Sequence, residues 1–317
     1  MGGISINSSI TQNNVYCIDV IEALDLLYKQ FGSHYFNLII IDPPYNQDID
    51  EWDNFDNDDQ YIEWINLIFV KVNLLLRDNG SLFFFHNNMI TISEIISKIK
   101  KTQLFRLNNF IVWNKRFKES KYYEYLNGWL EINDRHRLYK MSEYILYYVK
   151  NTHIKLQQKR NELKIPQITI SQEIVSESGG ITGWYSNIEK GHYYPNSETI
   201  LPITKHLGFT MDDLVPQYYK IPAHCVWNFD ISEEKRQNHA TPKPCKLIRD
   251  ILRMTTKTGD NVLNLFSGSG NIEIECKRSN RNFIGIDNNQ EYITRIKERL
   301  KQSHLSTFFP TKQEIKK

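Results

Sequence analysis

Seven short apolar runs, each closed by turn residues, constrain this chain more than any other feature. They are VYCI (15–18), FNLIII (36–41), SLFFF (81–85), NNFIVW (108–113), YILYYV (144–149), NVLNLF (261–266) and RNFIGI (281–286). The runs are continuous rather than alternating, the pattern of strands buried on both faces, as in a parallel sheet. Helical patterns separate many of them: DDQYIEWINLIFVKVNLLLRDNG, predicted to end at Gly80 as a C-cap, then MITISEIISKIKK and PCKLIRDILRMTTKTG. Strands alternating with helices predict an α/β doubly wound, Rossmann-like fold.

Residues 151–225 break this rhythm. They are polar, lack a convincing strand and contain three short helical patterns, which reads as an inserted helical subdomain. The chain therefore divides into 1–150, 151–225 and 226–317. With 40% hydrophobic and 24% charged residues it has the composition of a folded globular protein. No apolar run reaches the roughly 18 residues of a membrane span, and the N-terminus lacks a signal-peptide pattern. The four cysteines, Cys17, Cys225, Cys245 and Cys276, form no CxxC pair, so no zinc site or disulfide framework is indicated and a reducing cytoplasm is the simplest compartment. Net charge is only +2, which leaves a local basic cleft for nucleic acid open.

The run FNLIII stops abruptly in Asp42-Pro43-Pro44-Tyr45. Two prolines end any ladder or helix, leaving a carboxylate and an aromatic ring on a rigid turn. A second motif lies far downstream. NVLNLF runs into Phe266-Ser267-Gly268-Ser269-Gly270, and FIGID places Asp287 at the end of the next strand. Strand, glycine turn, helix, strand and acid is an arrangement for an adenosine-bearing cofactor. Glycines admit the ligand to the backbone, and the acid accepts from ribose hydroxyls.

Together, DPPY followed by a variable region, then NHATPKPCKLIRDIL and FSGSG, resembles the β class of S-adenosylmethionine-dependent amino-group DNA methyltransferases. This is the circularly permuted type found in restriction–modification systems. The resemblance covers almost the whole chain outside 151–225. It implies a seven-stranded sheet ordered 3-2-1-4-5-7-6 in the family's strand numbering, entered at strand 3, with 1–150 as the catalytic half and 226–317 as the cofactor-binding half. It implies S-adenosylmethionine held by Phe266, Ser267, Gly268, Gly270 and Asp287. Asp19, at the end of the first strand, would lie near the adenine of the cofactor. The family's HPTQKP turn corresponds to His239-Ala240-Thr241-Pro242-Lys243-Pro244, which adds Thr241 and Lys243 to the cofactor set and departs from the pattern at Pro242.

The resemblance gives the DPPY tip a task. An exocyclic amino nitrogen is a poor nucleophile because its lone pair is delocalised into the ring. Acceptors from Asp42 and the Pro43 carbonyl favour a tetrahedral nitrogen, Pro44 stiffens the turn, and Tyr45 stacks on a base flipped from double-stranded DNA. Asp at the first motif position goes mostly with adenine N6 in the family, so the reading is an adenine-specific enzyme. Cytosine N4 is the alternative, and a DNA-binding regulator with an inactive methyltransferase fold is the reading from another class. A cognate restriction endonuclease and a homodimer are compatible with the resemblance.

The insert is similar to a repressor-type helix-turn-helix. A helix is expected near Ser171–Glu177, a turn at Gly179-Gly180, and a recognition helix near Thr182–Glu189. Thr182, Trp184, Tyr185 and Asn187 are the expected base contacts. The basic, aromatic excursion 114–140 is expected to face DNA, with Lys115 and Arg116 near phosphates.

Overall fold

The computed structural model describes residues 9–46, 55, 57–115, 117, 142–176, 180–217, 224–230 and 242–306. Thr241, Arg116 and most of the 114–140 excursion lie outside them. The first half runs β1 (Asn14–Cys17), α1 (Val20–Phe31), β2 (Phe36–Ile41), α2 (Asp58–Leu75), β3 (Leu76–His86), α3 (Met89–Thr102), β4 (Phe105–Asn114) and β5 (Ser142–Lys150). Five short helices follow: α4 (Thr152–Glu162), α5 (Gln167–Ser171), α6 (Trp184–Glu189), α7 (Ile200–Leu207) and α8 (Met211–Leu214). The chain then returns through β6 (Val226–Asn228), α9 (Cys245–Thr255), β7 (Asn261–Asn264), α10 (Asn271–Arg278), β8 (Asn282–Asp287) and α11 (Gln290–Ser306).

The strands form one sheet in the order β1-β8-β7-β2-β3-β5-β4-β6. Its first seven positions reproduce the permuted order implied by the resemblance. The eighth strand, β6, pairs parallel with the edge of β4. The count of seven was what the resemblance implied, and the three residues VWN are too few to show a strand period that would have added an eighth.

Strand periodicity feeds two cores at once. In β2, Ile39 and Ile41 pack with α1, α2 and α3, while Leu38 and Ile40 pack with α9, α10 and α11. β3 repeats the division, with Leu82 and Phe84 on one side and Phe83 and Phe85 on the other. All six residues of β2 are buried, which explains the absence of polar alternation.

Two expected boundaries move. The long helix ends at Leu75, not Gly80. Gly80 lies within β3, where a Cβ would come within 2.7 Å of Leu76 Cδ1 and 3.0 Å of the Asn37 carbonyl oxygen. It therefore serves a close strand approach, beside a register shift between Phe36 and Leu38. In the insert, the helix expected near Ser171–Glu177 is instead Gln167–Ser171, and Val175 forms an antiparallel bridge with Ile181. The five helices share a small core that includes Leu156, Ile170, Tyr185, Ile188, Ile203 and Leu214. Among the described residues, no helix is long and apolar enough to cross a membrane.

Candidate active site

β7 and β2 are hydrogen-bonded neighbours, with Ile40 opposite Asn264 and the Leu265 amide donating to the Ile40 carbonyl at 3.2 Å. The DPPY tip and the glycine turn therefore leave the sheet side by side at its carboxyl edge, where ligands of open α/β sheets bind. A cavity of about 320 Å³ opens there, lined by Asp19, Asp42, Tyr45, Lys243, Gly268 and Asp287 among others. That volume falls within the range of small-molecule sites.

The turn after β7 is shaped by its own bonds. Gly268 has φ 47° and Gly270 φ 78°. A Cβ on Gly270 would sit 2.7 Å from Ile296 Cγ1. Asp287 holds the turn, its Oδ2 accepting from the Gly268 amide and its Oδ1 from the Asn289 amide, at 2.8 and 2.9 Å. Burial pushes the Asp287 carboxyl up, against those backbone donors. Asp19 caps α1 by accepting from the Ile21 and Glu22 amides, which leaves it exposed at the cavity rim. Beneath the turn lies Glu273, which sequence reasoning missed. It is 0% exposed, and its Oε1 accepts from Ser267 Oγ at 2.7 Å and Asn264 Nδ2 at 2.8 Å. Burial raises this carboxyl, opposed by the same two donors.

At the DPPY tip, Tyr45 donates to Asp42 Oδ1 at 2.6 Å. Tyr61 donates to the Pro44 carbonyl at 2.8 Å and so pins the turn from α2. Burial, then the charges of Asp42 and Glu143, push the Tyr45 hydroxyl well up, so it stays a neutral donor. Lys243 was expected in the cofactor set. It is 5% exposed and its Nζ lies 2.7 Å from Asp42 Oδ2, 3.2 Å from Tyr45 Oη and 3.4 Å from Glu143 Oε2. Burial alone would lower this ammonium, but Asp42 and Glu143 outweigh it and hold it above the ordinary lysine range. Glu143, a second missed residue, also pairs with Lys115. Burial would raise its carboxyl, but Lys243 and Lys115 hold it below the usual range.

Several expected DNA contacts stand differently. The Lys115 ammonium turns inward, to Glu143 and over the Trp113 ring at 4.7 Å, rather than outward to phosphates. Tyr185 is 0% exposed and its hydroxyl donates to Glu189, so it is a core residue of the insert and not a base contact. Trp184 is half-buried and its indole N–H donates to the Ser171 carbonyl at 2.9 Å. Thr182 is exposed and Asn187 half-buried.

The donor set fits S-adenosylmethionine. An acid ends β8, a glycine turn with positive φ exposes backbone to the cavity, and Phe55, Trp64 and Phe266 form an aromatic wall, with the Trp64 and Phe266 rings 5.8 Å apart edge to face. The model of a family described as DNA methylase, the N6/N4 amino-group methyltransferases, matches residues 36–298. The chain is 26% identical over 310 residues to Type II methyltransferase M1.MboII of Moraxella bovis, covering 93% of this chain and 98% of that one. It is 25% identical over 277 residues to the DNA adenine methyltransferase YhdJ of Escherichia coli K12, covering 84% and 76%. In fold it is similar to the M1.HpyAVI–SAM complex (TM-score 0.54, 20% identity, 90% and 98% covered). It is equally similar to the cytosine-N4-specific PvuII DNA methyltransferase (TM-score 0.54, 18% identity, 92% and 91% covered). The chain belongs to the DNA methylase family and is an S-adenosylmethionine-dependent DNA methyltransferase with a Rossmann-like sheet.

Proposed function

We propose that this enzyme methylates the N6 amino group of adenine at a specific site in double-stranded DNA. The observation that carries the reading is the juxtaposition of Asp42 with the glycine turn in one cavity, fixed by the β2–β7 ladder. S-adenosylmethionine supplies a methyl group on a positively charged sulfur, which keeps the bonding pair as a neutral thioether when the methyl leaves. Gly268, Gly270 and Asp287 with Phe266 and Ser267 bind that cofactor, Asp19 and Thr241 flank it, and Lys243 orders the catalytic acid beside it. Asp42 and the Pro43 carbonyl accept from the target amino group, which turns its lone pair towards the methyl and sheds one proton to water as the new N–C bond forms. Tyr45 and the rigid Pro43-Pro44 turn seat a base flipped out of the duplex.

Asp at the head of the motif favours adenine, as does the name of the YhdJ relative, a DNA adenine methyltransferase. The similarity to the cytosine-N4-specific structure concerns the fold. Mass spectrometry of nucleosides, after unmodified DNA is incubated with enzyme and methyl-labelled cofactor, is expected to find the label in N6-methyladenine. Label in N4-methylcytosine would overturn the base assignment and keep the mechanism.

The insert, residues 151–225, is the site reader in this proposal, with exposed Thr182 and half-buried Asn187 as its base contacts. Arg116 and the rest of the 114–140 excursion supply phosphate contacts in this proposal. The conjunction of an intact acid tip and a formed cofactor cavity argues against an inactive regulator. A cognate endonuclease in the same cytoplasm fits the Type II name of the M1.MboII relative, and a homodimer is a further expectation of the family resemblance. Gly268→Val, which adds a branched side chain at φ 47° on the cavity wall, is expected to weaken cofactor binding at least about tenfold, or about 1.4 kcal/mol. Calorimetric titration checks this. Unchanged affinity in a folded variant would remove this turn from the cofactor site.

A further inference from the structure

The catalytic carboxylate is occupied at both oxygens. Tyr45 Oη lies 2.6 Å from Asp42 Oδ1, and Lys243 Nζ lies 2.7 Å from Asp42 Oδ2. An ammonium at that distance cancels much of the negative field that a target amino group has to meet. It also puts a fixed cation beside a nitrogen that becomes positive as it takes the methyl. Lys243 must therefore leave Asp42 at some stage, and in a buried site it needs another anion to go to.

Glu143 is that anion. It lies at the start of β5, opposite Trp113 of β4, and is 4% exposed. Its Oε2 is 3.4 Å from Lys243 Nζ, while its Oε1 is paired with Lys115. The ammonium is boxed between the two carboxylates, with the rings of Phe85 and Tyr45 at 5.4 and 5.5 Å. No step of the methyl transfer uses Glu143, and a buried carboxylate is costly without a task. A lysine stem has rotatable torsions enough to move its head group between two neighbouring acceptors.

We propose that Glu143 is a positioning residue for the transfer. It takes the Lys243 ammonium from Asp42 as the target base enters, so that Asp42 Oδ2 is released to accept the amino N–H while Lys243 stays paired. The inference rests on Asp42 acting on the target amino group, as proposed above.

The test is a cycle of Glu143→Gln and Lys243→Met, read by single-turnover methylation of DNA at saturating cofactor. Glu143→Gln in the wild-type background holds the ammonium on Asp42 and slows transfer about tenfold or more. In the Lys243→Met background the same change has nothing left to redirect, and the two rates agree within about twofold. Cofactor affinity, measured by calorimetry, stays within about threefold between Glu143→Gln and wild type. A readout independent of turnover is the Lys243 Nζ resonance in ¹⁵N-lysine-labelled protein. It shifts when DNA is added with the demethylated cofactor product, and Glu143→Gln removes the shift. Equal slowing by Glu143→Gln in both backgrounds, or an unmoved Nζ resonance in wild type, overturns the inference. If Glu143→Gln does not fold, comparison of Lys243→Met with the double variant still decides, because a structural Glu143 makes the double variant slower or unfolded relative to Lys243→Met. Wild-type enzyme that labels no DNA amino group overturns instead the reading beneath it.

Discussion

The Asp42→Ala enzyme is expected to bind S-adenosylmethionine as the wild type does and to lose about 10²–10³ in the rate of methyl transfer, the usual effect of removing one preorganised transition-state partner. The loss falls on chemistry because the target lone pair is delocalised into its ring until an acceptor draws on the amino hydrogens. Binding is spared because the glycine turn is organised by other contacts, from Ser267 to Glu273 and from Gly268 to Asp287. Lys243 keeps Tyr45 and Glu143 as partners at 3.2 and 3.4 Å. Asp42→Asn, which retains an acceptor oxygen and loses the charge, is expected to fall between the two. Rapid-quench methylation with parallel calorimetry measures both quantities. Near-wild-type methylation by the alanine variant would sink the proposed mechanism; lost cofactor binding would instead move Asp42 into the cofactor site.

Glu189→Ala should open the insert while leaving the sheet folded. Glu189 is the hub of the insert core. Arg160 bonds to it at 2.6 and 3.3 Å, Gln167 donates to it at 2.8 Å and the Tyr185 hydroxyl at 3.2 Å. Removing one partner of such a pair typically costs about 3–5 kcal/mol, and the lower end applies because Arg160 keeps partial access to water. A penalty near 3 kcal/mol corresponds to about a hundredfold faster amide exchange in segments that open locally. Hydrogen-exchange mass spectrometry should find this acceleration within 152–215 and little change in β2, β3 or β7. Site-specific methylation should fall while cofactor affinity holds, whereas Thr182→Ala or Asn187→Ala should alter site preference without changing exchange. Uniform acceleration across the sheet would show that the insert and the sheet open as one unit.

The two motifs were legible because each states its chemistry within a few consecutive residues: prolines that allow one turn, glycines that allow positive φ. Their order along the chain pointed to the permuted class, and the resemblance to that class implied the sheet order. Glu143 and Glu273 were not legible, since a single acid in an apolar segment acquires meaning only from partners brought by other elements, Lys243 for one and the underside of the glycine turn for the other. Gly80 was misread because a glycine after a helical pattern signals a C-cap and a close strand approach equally well. Tyr185 was misassigned for a related reason. A helix of six residues is too short for its pattern to reveal which face turns inward, and the insert core takes Tyr185.

The pairing of β2 with β7 also sets the order in which the enzyme can be made. β2 is complete on its β3 side early in synthesis, but its other neighbour is encoded roughly 220 residues later, with Leu38 waiting for Val262. At ordinary translation speeds of about 5–20 residues per second, a strand that is fully buried in the finished fold stands with one open edge on the ribosome for roughly 10–40 s. During that interval β2 offers a ladder to any extended neighbour. The strand that carries Asp42 beside the glycine turn is thus also a segment of the nascent chain in need of a chaperone. Yield of soluble enzyme should depend on translation rate more steeply than its equilibrium stability alone would suggest.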